Sequence, residues 1–481
     1  MGDGLIGPRG RLVTALGVAL GLGACSTFTD LKDTLFGGPE GPRGDRASVT
    51  GFLGGVVADE PAAAVAGRQV LSQGGTAADA AVAMGFVLAV TLPSRAGLGG
   101  GGACLAYDPT RDGPGRGSPE ASVFTPIAPK TVSGRTDRPA SVPMMARGLF
   151  ALHARYGKQP IETLVARAEQ LARFGTPVSR AFLKDFSLVS GPLLADLNAR
   201  DVFAPGGVAP TEGATLIQAD LGGTLAQMRV AGIGDLYQGG LGSRFVEAAD
   251  IAGGGLALAD LRSALPRTIA PIVLPAGHDS VAFLPPPADG GLAAAASFLA
   301  LQANPGNLDS ARARGLATVA QWRRGASDVT ALLASTPVDG TLPALPASTS
   351  YAALDRNGNA VVCAATMDNL FGTGRVAPGT GVLLAASPSV TTTPLLAAAL
   401  AWNANVLGFR AAIGGSGQDG AALAVAAGLA NALRSGSPMP EQAPEPGREN
   451  AIACARYLPG SEESCGWATD ARGSGLALGS N

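Results

Sequence analysis

Histidine is almost missing from this chain: there are two in 481 residues, His153 and His278, far apart and with no Cys-x-x-Cys beside either. A zinc site needs several imidazole or thiolate ligands at set spacings, so no metal site is expected, and no cofactor motif takes its place. A Ser-His-Asp triad would have to recruit one of these isolated histidines, and His153 falls in a helix-like segment that gives it a structural place. Charge is sparse too. Asp, Glu, Lys and Arg make up 15% of the residues and the formal net charge is −2, which offers nucleic acid no basic face. Aromatics amount to only 5%, against 46% hydrophobic residues and 69 glycines. An Ala/Gly-rich globular core fits that balance and a disordered chain does not. After the N-terminal region no apolar run reaches membrane-helix length; Ala78 to Val90 is near-continuous but short.

Cysteine is scarce, with five in all. Cys104 and Cys363 lie in apolar, strand-like runs and read as inert core residues. Cys454 and Cys465 share one irregular segment, where a disulfide suits an oxidising compartment but the spacing leaves the pairing open. Cys25 is different. Arg9 and Arg11 precede an apolar run, Leu12 to Ala24, of signal-peptide length, and Leu22-Gly23-Ala24-Cys25 has the form of a bacterial lipoprotein box. Such a box implies cleavage before Cys25 and lipidation of its thiol; a plain secretory signal with a chance cysteine is the alternative. Ser26 marks no retention at the inner membrane, so the expected place is the periplasmic side of the bacterial envelope, lipid-anchored at the outer membrane. Residues 1–24 are thus expected to be a signal peptide, and 25–55, rich in Gly, Pro and charge, a flexible tether.

The chemistry centres on Ser348-Thr349-Ser350-Tyr351. These residues follow a Pro/Ala-rich linker and lead into two short strands, Tyr351 to Leu354 and Ala360 to Ala365. Asn357-Gly358 between the strands is a strong hairpin signal. A hydroxyl at the start of a strand, after a cleavable linker, suits an N-terminal nucleophile: once the preceding peptide bond is cut, the freed α-amine serves as base for its own side chain. An ordinary linker is the plain alternative. Upstream, Gly74-Gly75-Thr76-Ala77-Ala78-Asp79 reads as a helix stop followed by a buried helix capped near Thr76. Gly97-Leu98-Gly99-Gly100-Gly101-Gly102 lacks the Lys-Ser/Thr of a phosphate loop. Helices are expected from Arg147 to Tyr156 and again after Pro160, where Ile161, Leu164, Val165, Ala168, Leu171 and Ala172 share one face. Near the end, Arg410 to Ile413 reads as a strand, Gly414-Gly415-Ser416-Gly417-Gln418 as a turn, and Ala421 to Leu433 as a helix. Backbone N–H groups at such a turn suit an oxyanion hole.

In their order and spacing these motifs resemble the γ-glutamyltransferase (γ-glutamyltranspeptidase) family of N-terminal-nucleophile hydrolases. The resemblance runs from about residue 56 to the C-terminus and thins at 300–345 and 386–410. It implies an α/β (α+β) fold, a four-layer αββα sandwich, with a large-subunit-like region (56–347) and a small-subunit-like region (348–481). It further implies an enzyme, autoprocessed before Ser348 into two chains that stay together, acting on a small-molecule amide or peptide. Ser348 takes the position of the family's catalytic threonine, Thr349 is the neighbouring hydroxyl, Thr366 matches the threonine that orients the nucleophile, and Gly414 and Gly415 match the oxyanion glycines. The substrate-binding positions have changed. Thr125 stands where the family has the arginine that holds the α-carboxylate, Asp368 replaces an asparagine, and Thr391 falls where a serine pair is usual. A neutral threonine cannot make the bidentate, charge-assisted pair of an arginine. The expected activity is therefore amide hydrolysis or acyl transfer with altered acyl specificity; the alternative is a family-fold lipoprotein without catalysis, acting as a binding or envelope module, and a third reading is a serine-nucleophile, acylase-like activity on hydrophobic amides.

Overall fold

The computed structural model describes residues 1–2, 51–111, 116–131, 134, 136–336, 340–342 and 348–480. Nearly all of the expected signal segment and tether, Cys25 among them, and the Ala347 side of the expected cleavage bond lie outside these residues. The unit described below is Val49–Asn481.

In chain order it begins with β1 (Gly54–Ala58), α1 (Pro61–Ser72), α2 (Ala77–Thr91), β2 (Gly101–Tyr107) and β3 (Glu120–Phe124). Helices α3 (Met145–Tyr156), α4 (Ile161–Phe174) and α5 (Arg180–Leu194) follow, then further helices and three strands, β4 (Arg267–Ile269), β5 (Ile272–Ala276) and β6 (Asp279–Phe283). Next come α6 (Gly290–Ala303), α7 (Leu308–Arg323), β7 (Ser348–Asp355), β8 (Ala360–Thr366), β9 (Ala397–Asn403) and β10 (Gly408–Ser416). Helix α8 (Ala421–Ser435) and strands β11 (Arg448–Leu458), β12 (Cys465–Thr469) and β13 (Leu476–Gly479) complete it.

Two antiparallel sheets result, one of seven strands in the order β13-β1-β7-β8-β2-β3-β4 and one of six in the order β12-β11-β10-β9-β6-β5. The period-2 alternation of strand side chains sorts the buried residues into three cores. Val57, Leu105, Ala352, Leu354, Val362, Ala398, Ala412 and Ile452 pack between the sheets. Val56, Tyr351, Ala353 and Val361 face α2, α3 and α4 on one outer side. Ala399, Ile413 and Ala451 face α6 and α8 on the other. Three cores make four layers, αββα.

Local chemistry sets the elements. Thr76 caps α2 by accepting from the Asp79 N–H, while Asp79 accepts from the Thr76 N–H, a complete capping box. All of α2 is buried, as a helix apolar on every side must be. The α4 stripe faces inward through Leu164, Val165, Ala168, Leu171 and Ala172. Asp355 builds the β7–β8 turn, its carboxylate accepting from the N–H groups of Asn357 and Asn359 and from the Asn359 amide. His153 closes α3 against the Gln159 carbonyl at 2.7 Å.

The glycine run at 97–102 is a packing device. A Cβ on Gly99 would lie 2.2 Å from the Leu383 carbonyl oxygen, one on Gly100 2.2 Å from that of Thr366, and one on Gly102 2.4 Å from that of Ala364. Two features differ from the sequence expectation. Gly414 and Gly415 belong to β10, in register with Ala398 and Ala397 of β9 and with Asn450 and Glu449 of β11; the turn begins at Gly417, with φ +98°. Cys104 and Cys363 are not two inert thiols but a disulfide, because the β2–β8 register sets them directly opposite each other. Cys454 and Cys465 are likewise paired across β11 and β12.

Candidate active site

Strands β7 and β8 run longer than the apolar pattern suggests, and the extra residues build the site. Ser348 is the first residue of β7, and Thr366, the last of β8, is its cross-strand partner. Alternation from Ala352 and Val362 puts both side chains on the face between the sheets, at the sheet's end. Ser348 is fully buried and its Oγ makes no hydrogen bond among the described residues. Thr366 Oγ1 accepts from the Asp368 N–H at 2.8 Å.

The start of β7 is held from three sides. Asp59, just beyond β1, accepts on Oδ2 from the Thr349 hydroxyl at 2.9 Å and from the Ser350 N–H at 3.2 Å. Its Oδ1 accepts from the Asn450 amide at 2.7 Å, and that amide also lies 2.9 Å from both the carbonyl and the hydroxyl oxygen of Ser350. Asn450 belongs to β11, so this cluster ties the two sheets together at the nucleophile strand. Arg95 donates to the Ser348 carbonyl at 3.4 Å and is itself fixed by a two-bond pair with the buried Asp185, at 2.7 and 2.6 Å. Charge-assisted pairs of this geometry orient as well as bind.

Gly414 faces the same cluster: a Cβ there would stand 2.8 Å from Ser350 Cβ. Gly415 faces the helix layer, where a Cβ would reach the Ala421 carbonyl oxygen at 2.4 Å. The glycine pair therefore lets sheet and helix close on β10 from both sides, next to the start of β7.

Of the positions expected to bind substrate, Asp368 lies near Ser348, Thr125 lies apart from it, and Thr391 lines a cavity whose lining does not include Ser348. Asp368, two residues past Thr366, is buried with φ +60°, and neither carboxylate oxygen finds a hydrogen-bond partner among the described residues. Burial pushes its pKa up to about 7, with the charge of Arg323 opposing the shift. Thr125 follows the Gly102–Phe124 pair on β3, three strand spacings or about 14 Å from β7. It lines a separate cavity of about 340 Å³ with Met144, Asp260 and Arg267. Thr391 lines another, of about 470 Å³, with Arg138, Asn369 and Phe371.

Asp59, Arg95 and Asn450 escape the sequence reading. Their signal was faint but present: in a chain with 15% charged residues, Asp59 directly follows an apolar strand and Arg95 stands between a buried helix and a glycine run. A charge in such a place is rarely buried without a partner.

Residues 63–326 match the family model described as Gamma-glutamyltranspeptidase, which is more than half of the chain. The chain belongs to the gamma-glutamyltranspeptidase family. The matched stretch ends before Ser348. Among individual relatives, glutathione hydrolase 2 of Arabidopsis thaliana is 29% identical over 253 residues, which are 51% of this chain and 43% of the relative. The glutathione hydrolase proenzyme of Bacillus subtilis (strain 168) is 30% identical over 254 residues, 50% of this chain and 43% of the relative. The chain thus spans less than half the length of these two relatives. A cephalosporin acylase structure from Bacillus halodurans shares the fold with a TM-score of 0.74 at 19% identity, over 90% of this chain and 96% of that one. The four-layer αββα architecture is therefore shared with that structure.

Proposed function

We propose that this chain is an amide hydrolase or acyl transferase that activates itself by cutting the Ala347–Ser348 bond, with an acyl specificity different from that of the glutathione hydrolases. The observation that carries this reading is Ser348 at the first position of an interior strand, opposite Thr366 and held by Asp59, Asn450 and Arg95. In the first step Ser348 Oγ attacks the Ala347 carbonyl carbon. An ester forms, the C–N bond breaks, and the nitrogen takes the hydroxyl proton to become an α-amine. Water then splits the ester, leaving a carboxyl on Ala347 and a free hydroxyl on Ser348. In turnover the α-amine takes the hydroxyl proton, Ser348 Oγ attacks the substrate amide carbon, the C–N bond breaks as the departing amine takes that proton from the α-amine, and the acyl group then passes from the ester to water or to an acceptor amine, returning the free hydroxyl. Thr366 orients the nucleophile and the Thr349 hydroxyl keeps the strand on Asp59; Gly414 and Gly415, expected to receive the oxyanion, are paired on both sides within β10, so their N–H groups are committed to the sheet and their part is to let the layers close beside the nucleophile strand. Lipidation at Cys25, with the enzyme held on the periplasmic face of the envelope, belongs to the same reading and rests on the lipoprotein box.

Altered specificity is supported by the placement of Thr125 and Thr391 in cavities whose linings do not include Ser348, and by Asp368 in place of an asparagine. A non-catalytic binding role is the second reading, favoured by these same changes. A panel of N-acyl anilides separates the two. The catalytic reading expects turnover of at least one by wild type, none by Ser348→Ala, and a loss of roughly 10- to 100-fold in kcat for Thr366→Ala. No turnover of any anilide by a cleaved wild-type chain favours the binding role.

A further inference from the structure

The two disulfides among the described residues stand differently to the bond before Ser348. Cys454 and Cys465 are 11 positions apart, and both lie on its C-terminal side. Cys104 and Cys363 are 259 positions apart, and the Ala347–Ser348 bond falls inside the loop they close. A cut inside such a loop changes what the crosslink does. Before it, the bond joins two places in one chain; afterwards it joins two chains.

The strands around it show how the two regions are interleaved. Cys104 lies in β2, of the large-subunit-like region, and Cys363 in β8, of the small-subunit-like region. In the seven-stranded sheet β7 and β8 sit side by side between β1 and β2, so strands of the large region enclose them on both sides. The bond spans one of these two seams. Both cysteines are fully buried, which keeps dissolved reductant from the sulfurs while the protein is folded. Three residues beyond Cys363, Thr366 is in register with Gly101 of β2 on one side and with Ser348 of β7 on the other. A slip of one residue would turn every side chain of β8 to the opposite face. The crosslink therefore also pins the register of the strand that faces the nucleophile.

We propose that Cys104–Cys363 is the covalent link between the two chains of the processed protein, so that self-cleavage yields a crosslinked pair and not two separable subunits. This rests on the cleavage reading above, whereas the bond itself does not. Cleavage adds one water across the Ala347–Ser348 amide and leaves both sulfurs as they are. Two chains held by packing alone part on unfolding, and their stability then depends on concentration. A crosslinked pair unfolds as one molecule. Its halves stay at high effective concentration, and the bond restricts the unfolded ensemble.

Denaturing gels and masses of the full mature chain, read with and without dithiothreitol, test this. Free thiols are first blocked with iodoacetamide to stop exchange; the reductant turns each disulfide into two thiols and is itself oxidised to a disulfide. Without reductant, wild type should be a single species, heavier than the uncut chain by one water. With reductant it should separate into two chains, the smaller beginning at Ser348. Cys104→Ala/Cys363→Ala should give two chains without reductant, and its melting temperature should fall on dilution while that of wild type stays constant. A peptide map of unreduced wild type, which needs no variant, should join the peptides containing Cys104 and Cys363. Two chains from wild type without reductant, or a map pairing either cysteine with another partner, overturns the proposal. An uncut wild type whose map still joins Cys104 to Cys363 refutes the cleavage, and with it the link between chains, but leaves the bond standing, so the two failures are told apart.

Discussion

Asp59 carries more of the site than any other single side chain. Its two carboxylate oxygens accept from Thr349, Ser350 and Asn450, which come from two different sheets. Hydrogen bonds to a charged group contribute about 1.5–3 kcal/mol each, and removing the carboxylate leaves buried donors unsatisfied. Asp59→Ala is expected to slow self-cleavage by roughly tenfold or more and to lower the melting temperature; Asp59→Asn, which keeps the shape and loses the charge, should fall between. Time-resolved gels of the precursor with parallel thermal melts check both. A cleavage rate unchanged in Asp59→Ala would mean that the strand start is positioned by Arg95 and the sheet register alone. Residues of this kind are hard to find from sequence, because their partners lie hundreds of positions away and no local pattern announces them.

Among the elements, the glycine strand and the helices respond to the same substitution in opposite ways. Gly100→Ala drives a methyl to 2.2 Å from the Thr366 carbonyl, at the end of β8 where the nucleophile's partner sits. It is expected to destabilise by about 1–3 kcal/mol or more. Gly223→Ala, in the helix Ala219–Ala231, meets nothing within 4 Å and should stabilise by about 0.4–1 kcal/mol. Denaturant titration of the two variants decides it; a neutral Gly100→Ala would show that β2 and β8 can separate without cost. Much at this scale was legible beforehand. The Thr76 cap, the α4 stripe and the Asn-Gly turn follow rules that span three or four residues. The extent of β7 and β8, the place of Gly414-Gly415 inside β10 and the Cys104–Cys363 bond depend on which strands pair and in what register. That information is non-local, and local apolar patterning does not contain it.

At the scale of the whole molecule, the resemblance gave the four layers, while the separation of Thr125 from Ser348 emerged only once the strands were laid side by side. Buried carboxyls give the fold a pH dependence. Burial is the main cause for all three: it pushes Glu60 up to about 7, opposed by a hydrogen bond from Ser179 and helped by the charge of Asp59. It pushes Asp368 to about 7 against Arg323, and Glu449 to about 8 with help from Asp470 and Glu441. Each group holds its proton more tightly folded than unfolded, where a carboxyl titrates near 4. Their contribution is therefore fully present below about pH 4 and is lost as pH rises through 7 to 8, at about 1.4 kcal/mol per unit of separation. Stability at pH 8.5 should rise in Asp368→Asn and Glu449→Gln, and their loss of stability between pH 5 and 8.5 should be smaller than that of wild type. Equal pH slopes in wild type and both variants would place the titration elsewhere.

The central claim, that Ser348 is a nucleophile released by its own attack, is tested most directly by intact-mass measurement of the purified, reduced chain beside Ser348→Ala. The account predicts two fragments from wild type, the smaller beginning at Ser348, and a single uncut chain from the variant. One uncut chain from both, or cleavage that persists in Ser348→Ala, would contradict it.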